Sequence, residues 1–206
     1  MRLLAYFFMT TAFMNVCTIA QDDAPKPAVS KAPLTTEQVA VYRALLSDYM
    51  KDSQGTLNLS NQTEPLDLKA SLAEGCVGKL QLEGSDRSDS IVHEIPNATK
   101  LLPNVVLVDP QQQEAKVKQN DPQQLIKKAL EGGPRPTDEQ MDNSLKLAFS
   151  TGLFSFSEIV FDKAHRHALV SYSFVCGGLC GHGNTLLLEK AKNTWKIKKT
   201  CSSWVS

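Results

Sequence analysis

Apolar residues recur at helical intervals in three parts of the chain. The first part, 35–50, opens with Thr35 and Gln38 at the spacing of a capping box. The second part, 121–131, opens with an aspartate followed by a proline, and the third, 137–151, opens with another threonine–glutamine capping box. We therefore predict one N-terminal helix and two middle helices, and we expect the middle helices to form one side of the core.

Alternation of apolar and polar residues predicts strands in the C-terminal part of the chain. Four such segments follow one another with short connections, namely 154–161, 168–176, 185–190 and 195–201. In the second segment every other residue from Ala168 onward is apolar, whereas Ser171 and Ser173 would lie on the opposite face. We expect a four-stranded antiparallel meander with one buried face and one face in water.

The first strand of this meander changes the phase of its alternation. Its apolar residues are even-numbered up to Phe156 and odd-numbered from Ile159 onward. A β-bulge inserts one extra residue and moves the following side chains to the other face. We therefore predict a bulge near Ser157.

Shorter elements precede the meander. Alternation predicts a strand within 55–60, and a β-branched run predicts another at 105–108. Between them the pattern is mixed: a short helix around Cys76 would fit 66–82, and 83–90 is a polar loop. We expect the polar residues 111–120 to form an exposed surface segment.

These elements together indicate an α+β domain. A chain of 206 residues is near the usual size of one domain, and no internal repeat divides it. We expect a single domain over 35–206, with the N-terminal and middle helices packed on the buried face of the meander. A cone-like curved sheet is one form that such a domain can take.

The N-terminal residues 1–20 have the pattern of a secretory signal peptide. Arg2 precedes a mostly apolar run, and small residues flank a cleavage point. Polar residues interrupt the run, which weakens the alternative of a membrane anchor with about 20 apolar residues. The next segment, 21–34, contains three prolines and no apolar periodicity, so we predict a flexible leader. We expect an exported protein, periplasmic or secreted, without a stable membrane span after processing.

The charge balance narrows the class of partner. The chain has 22 basic and 22 acidic residues, so its formal net charge is zero. With 42% hydrophobic residues it does not have the composition of a disordered protein. A neutral chain provides no overall field for holding a polyanion, and we therefore expect no nucleic acid partner.

Export changes the interpretation of the cysteines, because disulfides persist in oxidising compartments. Four of the five cysteines lie beyond the predicted signal peptide, and four cysteines allow three connectivities. We favour pairing Cys176 with Cys180 and Cys76 with Cys201, and the other connectivities stay open.

The most distinctive local motif is Cys-Gly-Gly-Leu-Cys-Gly-His-Gly at 176–183. Glycines permit the backbone angles of a tight connection between strands, so the favoured interpretation is a disulfide-pinned hairpin loop. Two alternatives are a redox-active dithiol and a metal site that adds the histidine to two thiolates. A spacing wider than Cys-x-x-Cys weakens the first alternative, and oxidation of the cysteines weakens the second. The candidate loop residues are Gly177, Gly178, Gly181, His182 and Gly183.

The C-terminal quarter of the chain resembles a family of uncharacterised exported bacterial proteins. In that family a Ser-x-x-x-Phe strand leads to an Ala-Leu-Val strand, a Cys-Gly-x-Leu-Cys-Gly-x-Gly loop and a strand containing tryptophan. The matching positions are Ser157, Phe161, Cys176, Gly177, Leu179, Cys180, Gly181, Gly183 and Trp195. The resemblance implies an exported domain and no catalytic residue, and it does not extend to Cys76 or Cys201.

The sequence contains no G-x-S-x-G elbow, H-E-x-x-H pair or Walker motif. We therefore assign no catalytic residue, metal ligand or cofactor. The favoured function is a non-enzymatic exported domain that binds a small molecule or an envelope or extracellular protein, through a cavity between helices and sheet or through the loop at 177–183. The alternative is a thiol-active or metal-dependent exported enzyme centred on Cys176, Cys180 and His182.

Overall fold

The computed structural model describes residues 28–30, 32–68, 75–78, 80–83, 91–95 and 101–206. The predicted signal peptide and the first part of the predicted leader lie outside the described residues. The end of that leader is not free chain. Strand β1, Ala28–Ser30, pairs in parallel with strand β3, Ile91–His93. Ordered structure therefore begins before Thr35, where we expected the domain to start.

The remaining elements have the following bounds in chain order. The described helices are α1, Thr36–Tyr49; α2, Pro110–Gln119; α3, Gln123–Leu130; and α4, Asp138–Thr151. The other strands are β2, Leu57–Ser60; β4, Val105–Val108; β5, Leu153–Phe156; β6, Val160–Phe161; β7, His167–Gly177; β8, Cys180–Ala191; and β9, Thr194–Val205. Among the described residues, no helix has both the length and the apolar character needed to cross a membrane.

One mixed sheet organises the molecule. Its strand order is β4-β2-β5-β7-β8-β9, and β6 also pairs with β7. Strand β2 runs parallel to both β4 and β5, whereas the other pairings are antiparallel. The predicted α+β class is confirmed. The antiparallel meander β5-β7-β8-β9 is part of a larger sheet than we predicted, because β2 and β4 continue it past β5.

Capping boxes start two of the helices where the sequence predicts them. The Thr35 hydroxyl accepts a hydrogen bond from the Gln38 N–H at 3.2 Å, and the Gln38 side chain accepts one from the Thr35 N–H at 2.8 Å. Thr137 and Gln140 repeat this arrangement at the start of α4. Each box satisfies N–H groups that have no partner within the helix, which fixes both helix starts locally.

Helix α2 corrects one prediction. We expected 111–120 to be an exposed surface segment, and most of its residues are exposed, but they form a helix that we did not predict. The Asp109 carboxylate accepts a hydrogen bond from the Gln112 N–H at 2.8 Å, and Pro110 occupies the first turn. Aspartate followed by proline is the same helix-start signal that we used at Asp121. The polar composition of the segment concealed this signal.

The predicted irregularity near Ser157 is present. Phe156 lies opposite Tyr172, and Val160 lies opposite Leu169, so three residues of one strand face two residues of β7. This two-against-three count describes a bulge. The Ser157 N–H donates to the Ser171 carbonyl at 2.9 Å, and its hydroxyl accepts from the Ser171 N–H at 2.7 Å.

Helix α1 covers one face of the sheet, which we call the α1 face. Four helix residues are buried there, namely Val41, Tyr42, Leu45 and Leu46. The Tyr42 ring stacks on Phe156 with 4.4 Å between centroids, and its hydroxyl donates to the Ser157 carbonyl at 2.9 Å. The even-numbered apolar residues of β7 belong to the same core cluster. The helix is therefore held by burial and by one buried hydrogen bond.

The other face of the sheet, which we call the opposite face, is only partly covered. Leu169 and Leu187 are buried in a second apolar cluster with Leu66, Leu68, Cys76, Val77 and Val160. We expected this face to lie in water, and this end of it does not. Residues 69–74 lie outside the described residues, so the helix predicted within 66–82 is not described as a whole. At the other end, α2 contacts β5 and β7.

The middle helices do not form the core layer that we predicted. Helix α3 buries no residue, and α4 buries only Ala148. Their apolar stripes remain exposed at Ile126, Leu130 and Phe149. An apolar stripe shows which side of a helix prefers burial, but it does not identify the surface that covers it. Here α1 takes that position on the sheet.

Candidate functional site

The glycine-rich motif forms a tight hairpin. Gly177 pairs with Cys180, so the connection between β7 and β8 contains only residues 178–179. We predicted a loop over 177–183, but 181–183 belong to β8 and pair along β7. The Cys176–Cys180 disulfide joins the two strands at this turn. The second disulfide joins Cys76 to Cys201, and these are the two pairs that the sequence analysis favoured.

Two glycines of the hairpin allow close approach of other groups. A Cβ atom on Gly183 would collide with the Trp204 indole and would lie 2.6 Å from the Tyr172 carbonyl oxygen. Gly177 has a φ of 153°, and a Cβ atom there would lie 2.7 Å from the Asp121 carboxylate. The glycines therefore serve packing around the hairpin.

His182 is packed against aromatic rings on the α1 face. Its ring is stacked with Tyr49 at 5.8 Å between centroids, and its Nε2 lies 3.3 Å from the Tyr49 hydroxyl oxygen. Burial lowers the pKa of His182, and burial with the charge of Tyr172 raises the pKa of Tyr49 to about 12. Two neutral side chains therefore share this hydrogen bond near neutral pH.

The thiol and metal interpretations of the motif would need a different arrangement. Cys176 and Cys180 form a disulfide, whereas both chemistries use a thiolate. Within the part of the chain that the structure describes, no group of three or more histidine, cysteine, aspartate or glutamate side chains could hold a metal ion. His182 contacts Tyr49 and Phe174 instead.

A pocket lies beside the hairpin, between α2 and the opposite face of the sheet. Its volume is about 350 Å³, near the lower end of the range for ligand sites. Val117, Leu153 and Val175 supply apolar surface, and Ser155 and Ser173 add hydroxyl groups from β5 and β7. The hairpin closes one side of the pocket through its turn glycines. A concave apolar surface with a few polar groups is the usual form of a small-molecule site.

Four charged residues line the pocket: Glu64, Glu114, Lys118 and Asp121. Glu64 is held by its backbone, since its N–H donates to the Phe156 carbonyl and its carbonyl accepts from the Glu158 N–H, each at 2.7 Å. Burial of the carboxyl raises the pKa of Glu64 against the opposing hydrogen bond of Ser155, and the Glu114 charge raises the pKa further. Ionised Glu64 is therefore poorly compensated in the protein alone.

Asp121 fixes the wall of the pocket. One carboxylate oxygen accepts from the Gln123 N–H at 2.9 Å, and the other accepts from the Gly178 N–H at 3.0 Å. The same side chain therefore contacts the start of α3 and the turn of the hairpin. Behind the pocket lining, helix α2 is held in place by the Gln113 side chain, which donates to the Thr151 carbonyl at 2.6 Å and ties α2 to the end of α4.

A histidine–carboxylate pair with a buried carboxylate lies elsewhere in the fold. Nδ1 of His93 is 2.9 Å from a Glu158 carboxylate oxygen, and the His93 N–H donates to the same carboxylate at 3.0 Å. The Thr63 hydroxyl donates to it as well. The carboxylate thus connects β3 to the bulge, and this cluster links separate segments of the chain.

Some of the residues that line the pocket were predicted from the sequence, and the others were not. Gly177 and Gly178 were candidates, and they line the pocket. Gly181, His182 and Gly183 are not among its lining residues. The pocket carboxylates carried no motif, because they come from separate segments that only the fold brings together.

No protein-family model, curated protein or solved structure matches this chain. The resemblance to a family of exported bacterial proteins therefore stays a prediction. Function is inferred from the geometry of the molecule itself.

Proposed function

We propose that this protein is an exported, non-enzymatic domain that binds a small molecule in the pocket between α2 and the opposite face of the sheet. The pocket is the observation that carries this proposal, because it combines a concave apolar surface with several polar groups. Most of its lining comes from α2, β5, β7 and the hairpin, whereas Glu64 and Asp121 lie between regular elements. A site built on such elements keeps its shape before a ligand arrives.

The hairpin supports the proposal by making one wall rigid. The Cys176–Cys180 disulfide and the Asp121 hydrogen bond both restrain the turn that borders the pocket. A wall that is already ordered costs little conformational entropy when a ligand binds. The two disulfides also fit the export that the signal-peptide pattern predicts, since such bonds persist in oxidising compartments.

A fragment screen by two-dimensional NMR tests the proposal. The screen compares the protein with Ser173→Phe, which fills the pocket, and with Ser203→Phe, a matched change on exposed β9. We expect fragments to shift pocket resonances in the wild type and in Ser203→Phe, and to lose this effect in Ser173→Phe. Fragments that bind equally well to the filled variant would place the binding site elsewhere and contradict the proposal.

The alternative function is a thiol-active or metal-dependent enzyme centred on Cys176, Cys180 and His182. It predicts free thiols or bound metal in protein purified from its exported location. Intact mass with and without reduction, followed by metal analysis of the same sample, separates the two functions. Two intact disulfides support the binding domain, and free thiols at the hairpin would favour the enzyme.

A further inference from the structure

We infer that the ligand of this pocket is a small amine with an apolar body, whose ammonium group binds between Glu64 and Glu114 while its body covers Val175. This inference rests on the proposed function, because it assigns a chemical class to the ligand of the same pocket. It follows from the charges that face the pocket and from the apolar surface next to them.

The pocket has an excess of negative charge. Three carboxylates and one ammonium group line it, on Glu64, Glu114, Asp121 and Lys118. Asp121 already accepts two backbone hydrogen bonds, so one of its oxygens is engaged by the start of α3 and the other by the hairpin turn. In the net charge of the pocket, Lys118 offsets one of the two remaining carboxylates. A cationic ligand would offset the other, whereas an anionic ligand would add a second uncompensated charge.

Among these carboxylates, Glu64 is the one whose ionised form a bound cation would stabilise most. Protein packed around it and the nearby Glu114 charge raise the pKa of Glu64, although the Ser155 hydroxyl partly opposes this change. Ser155 is itself 3% exposed, so the hydrogen bond that orients the carboxylate comes from a buried strand position. An ammonium group placed beside Glu64 would favour its ionised form and gain a charge-assisted hydrogen bond.

The apolar part of the pocket favours a ligand that has apolar surface in addition to a positive charge. Val117 and Leu153 are 6% exposed, whereas Val175 keeps 37% of its surface exposed next to them. An apolar ligand body resting on Val175 would remove that surface from water, which is favourable in proportion to the area covered. A positive charge beside Glu64 and an apolar surface on Val175 together describe an amine attached to a compact hydrocarbon.

Three probes that share one hydrocarbon body test this inference. They are cyclohexylmethylamine, cyclohexylmethanol and cyclohexanecarboxylate, titrated by NMR into the wild type, Glu64→Gln and Glu139→Gln, the last a control on the exposed surface of α4. We expect the amine to bind about tenfold more tightly than the alcohol, because a charged hydrogen bond exceeds a neutral one by about that factor. Glu64→Gln should remove this preference and leave the alcohol unchanged.

The pH dependence provides a second measurement on the same samples. The other charged residues that line the pocket with Glu64 are Glu114, Lys118 and Asp121, and the Glu114 charge acts on Glu64 directly. Because the amine binds ionised Glu64, its affinity should rise as the pH increases through the raised pKa of that group, and the alcohol should show no such rise. Amine affinity that is independent of pH in this interval would contradict the assigned role of Glu64.

The outcomes separate the two proposals. If the alcohol or the carboxylate binds as tightly as the amine and Ser173→Phe abolishes all binding, the pocket is a binding site and the inference about charge is wrong. If no probe shifts pocket resonances and the fragment screen also finds no ligand there, both the proposed function and the inference about the ligand are wrong. An amine preference that depends on Glu64 supports both.

Discussion

The two faces of the large sheet are covered in different ways. On the α1 face, one helix packs a continuous apolar core in which Tyr42, Phe154 and Phe156 have no exposed surface. On the opposite face, a smaller apolar cluster occupies one end and the pocket occupies the other. Between them, the Ser171 hydroxyl is 2.7 Å from the Thr185 hydroxyl. One face is thus filled by apolar side chains, and the other retains polar groups and open volume.

This difference separates the stabilising part of the fold from the proposed binding part. Burial of large apolar side chains is the main favourable contribution to folding, and the α1 face concentrates it. The opposite face has less apolar surface to bury, and the Cys76–Cys201 disulfide ties its cluster to β9. A pocket with an uncompensated carboxylate can exist there because the stability of the sheet comes from elsewhere.

The largest expected effect comes from opening the long disulfide. Cys76→Ser with Cys201→Ser releases a bridge between residues 125 apart, and the chain-entropy relation predicts a loss of about 5 kcal/mol in the free energy of unfolding. The matched control is Cys176→Ser with Cys180→Ser, where the separation is 4 and the same relation gives about 2 kcal/mol. Urea denaturation of both double variants measures the difference. Equal losses would show that loop length does not govern the stability of the opposite face.

A change in the core of the α1 face should have the next largest effect. Phe156→Ala removes a fully buried ring that stacks on Tyr42, so we expect a loss of about 4 kcal/mol in the free energy of unfolding. Phe149→Ala is the control, because that ring is 58% exposed and should contribute about 1 kcal/mol. Urea denaturation compares the two variants. A loss from Phe149→Ala as large as that from Phe156→Ala would contradict the assignment of the core to this face.

Local signals predicted the elements of both faces better than they predicted their packing. The capping boxes at Thr35 and Thr137 and the bulge near Ser157 depend on neighbouring residues, and each lies where the sequence placed it. The exposed stripe of α3 and the buried cluster on the opposite face depend on which elements meet. An amphipathic pattern contains no information about that choice.

The pocket could not be predicted from the sequence, because it too depends on which distant segments meet in the fold. Glu64, Glu114 and Ser173 are far apart in the chain and belong to different elements, so no spacing connects them. The hairpin glycines were recognisable as a motif, yet their contact with Asp121 depends on where α3 begins. A missed signal did exist at Asp109, where a cap followed by proline starts the helix that forms the pocket wall.

The smallest expected effect is a gain in the free energy of unfolding, whereas the changes above lower it. The folded state raises the pKa of Glu64, so ionised Glu64 disfavours folding at any pH above the unfolded pKa, and the cost is complete above the folded pKa. Glu64→Gln should therefore increase the free energy of unfolding at pH 7, by less than about 1 kcal/mol, because Glu64 as a whole residue stays solvent-exposed although protein atoms surround its carboxyl, and solvent screens its charge. The gain should disappear as the pH falls below 4.5, the ordinary value for this carboxyl.

Thermal denaturation of Glu64→Gln across this pH range, with Glu139→Gln as the control, measures the gain. A residue that lowers stability while it creates a binding site is typical of functional positions. If Glu64→Gln instead destabilises the protein at pH 7, the carboxylate is already compensated within the fold, and the pocket has no negative charge in excess. The opposite face would then differ from the α1 face only in its packing, and the amine preference inferred for the pocket would lose its electrostatic basis.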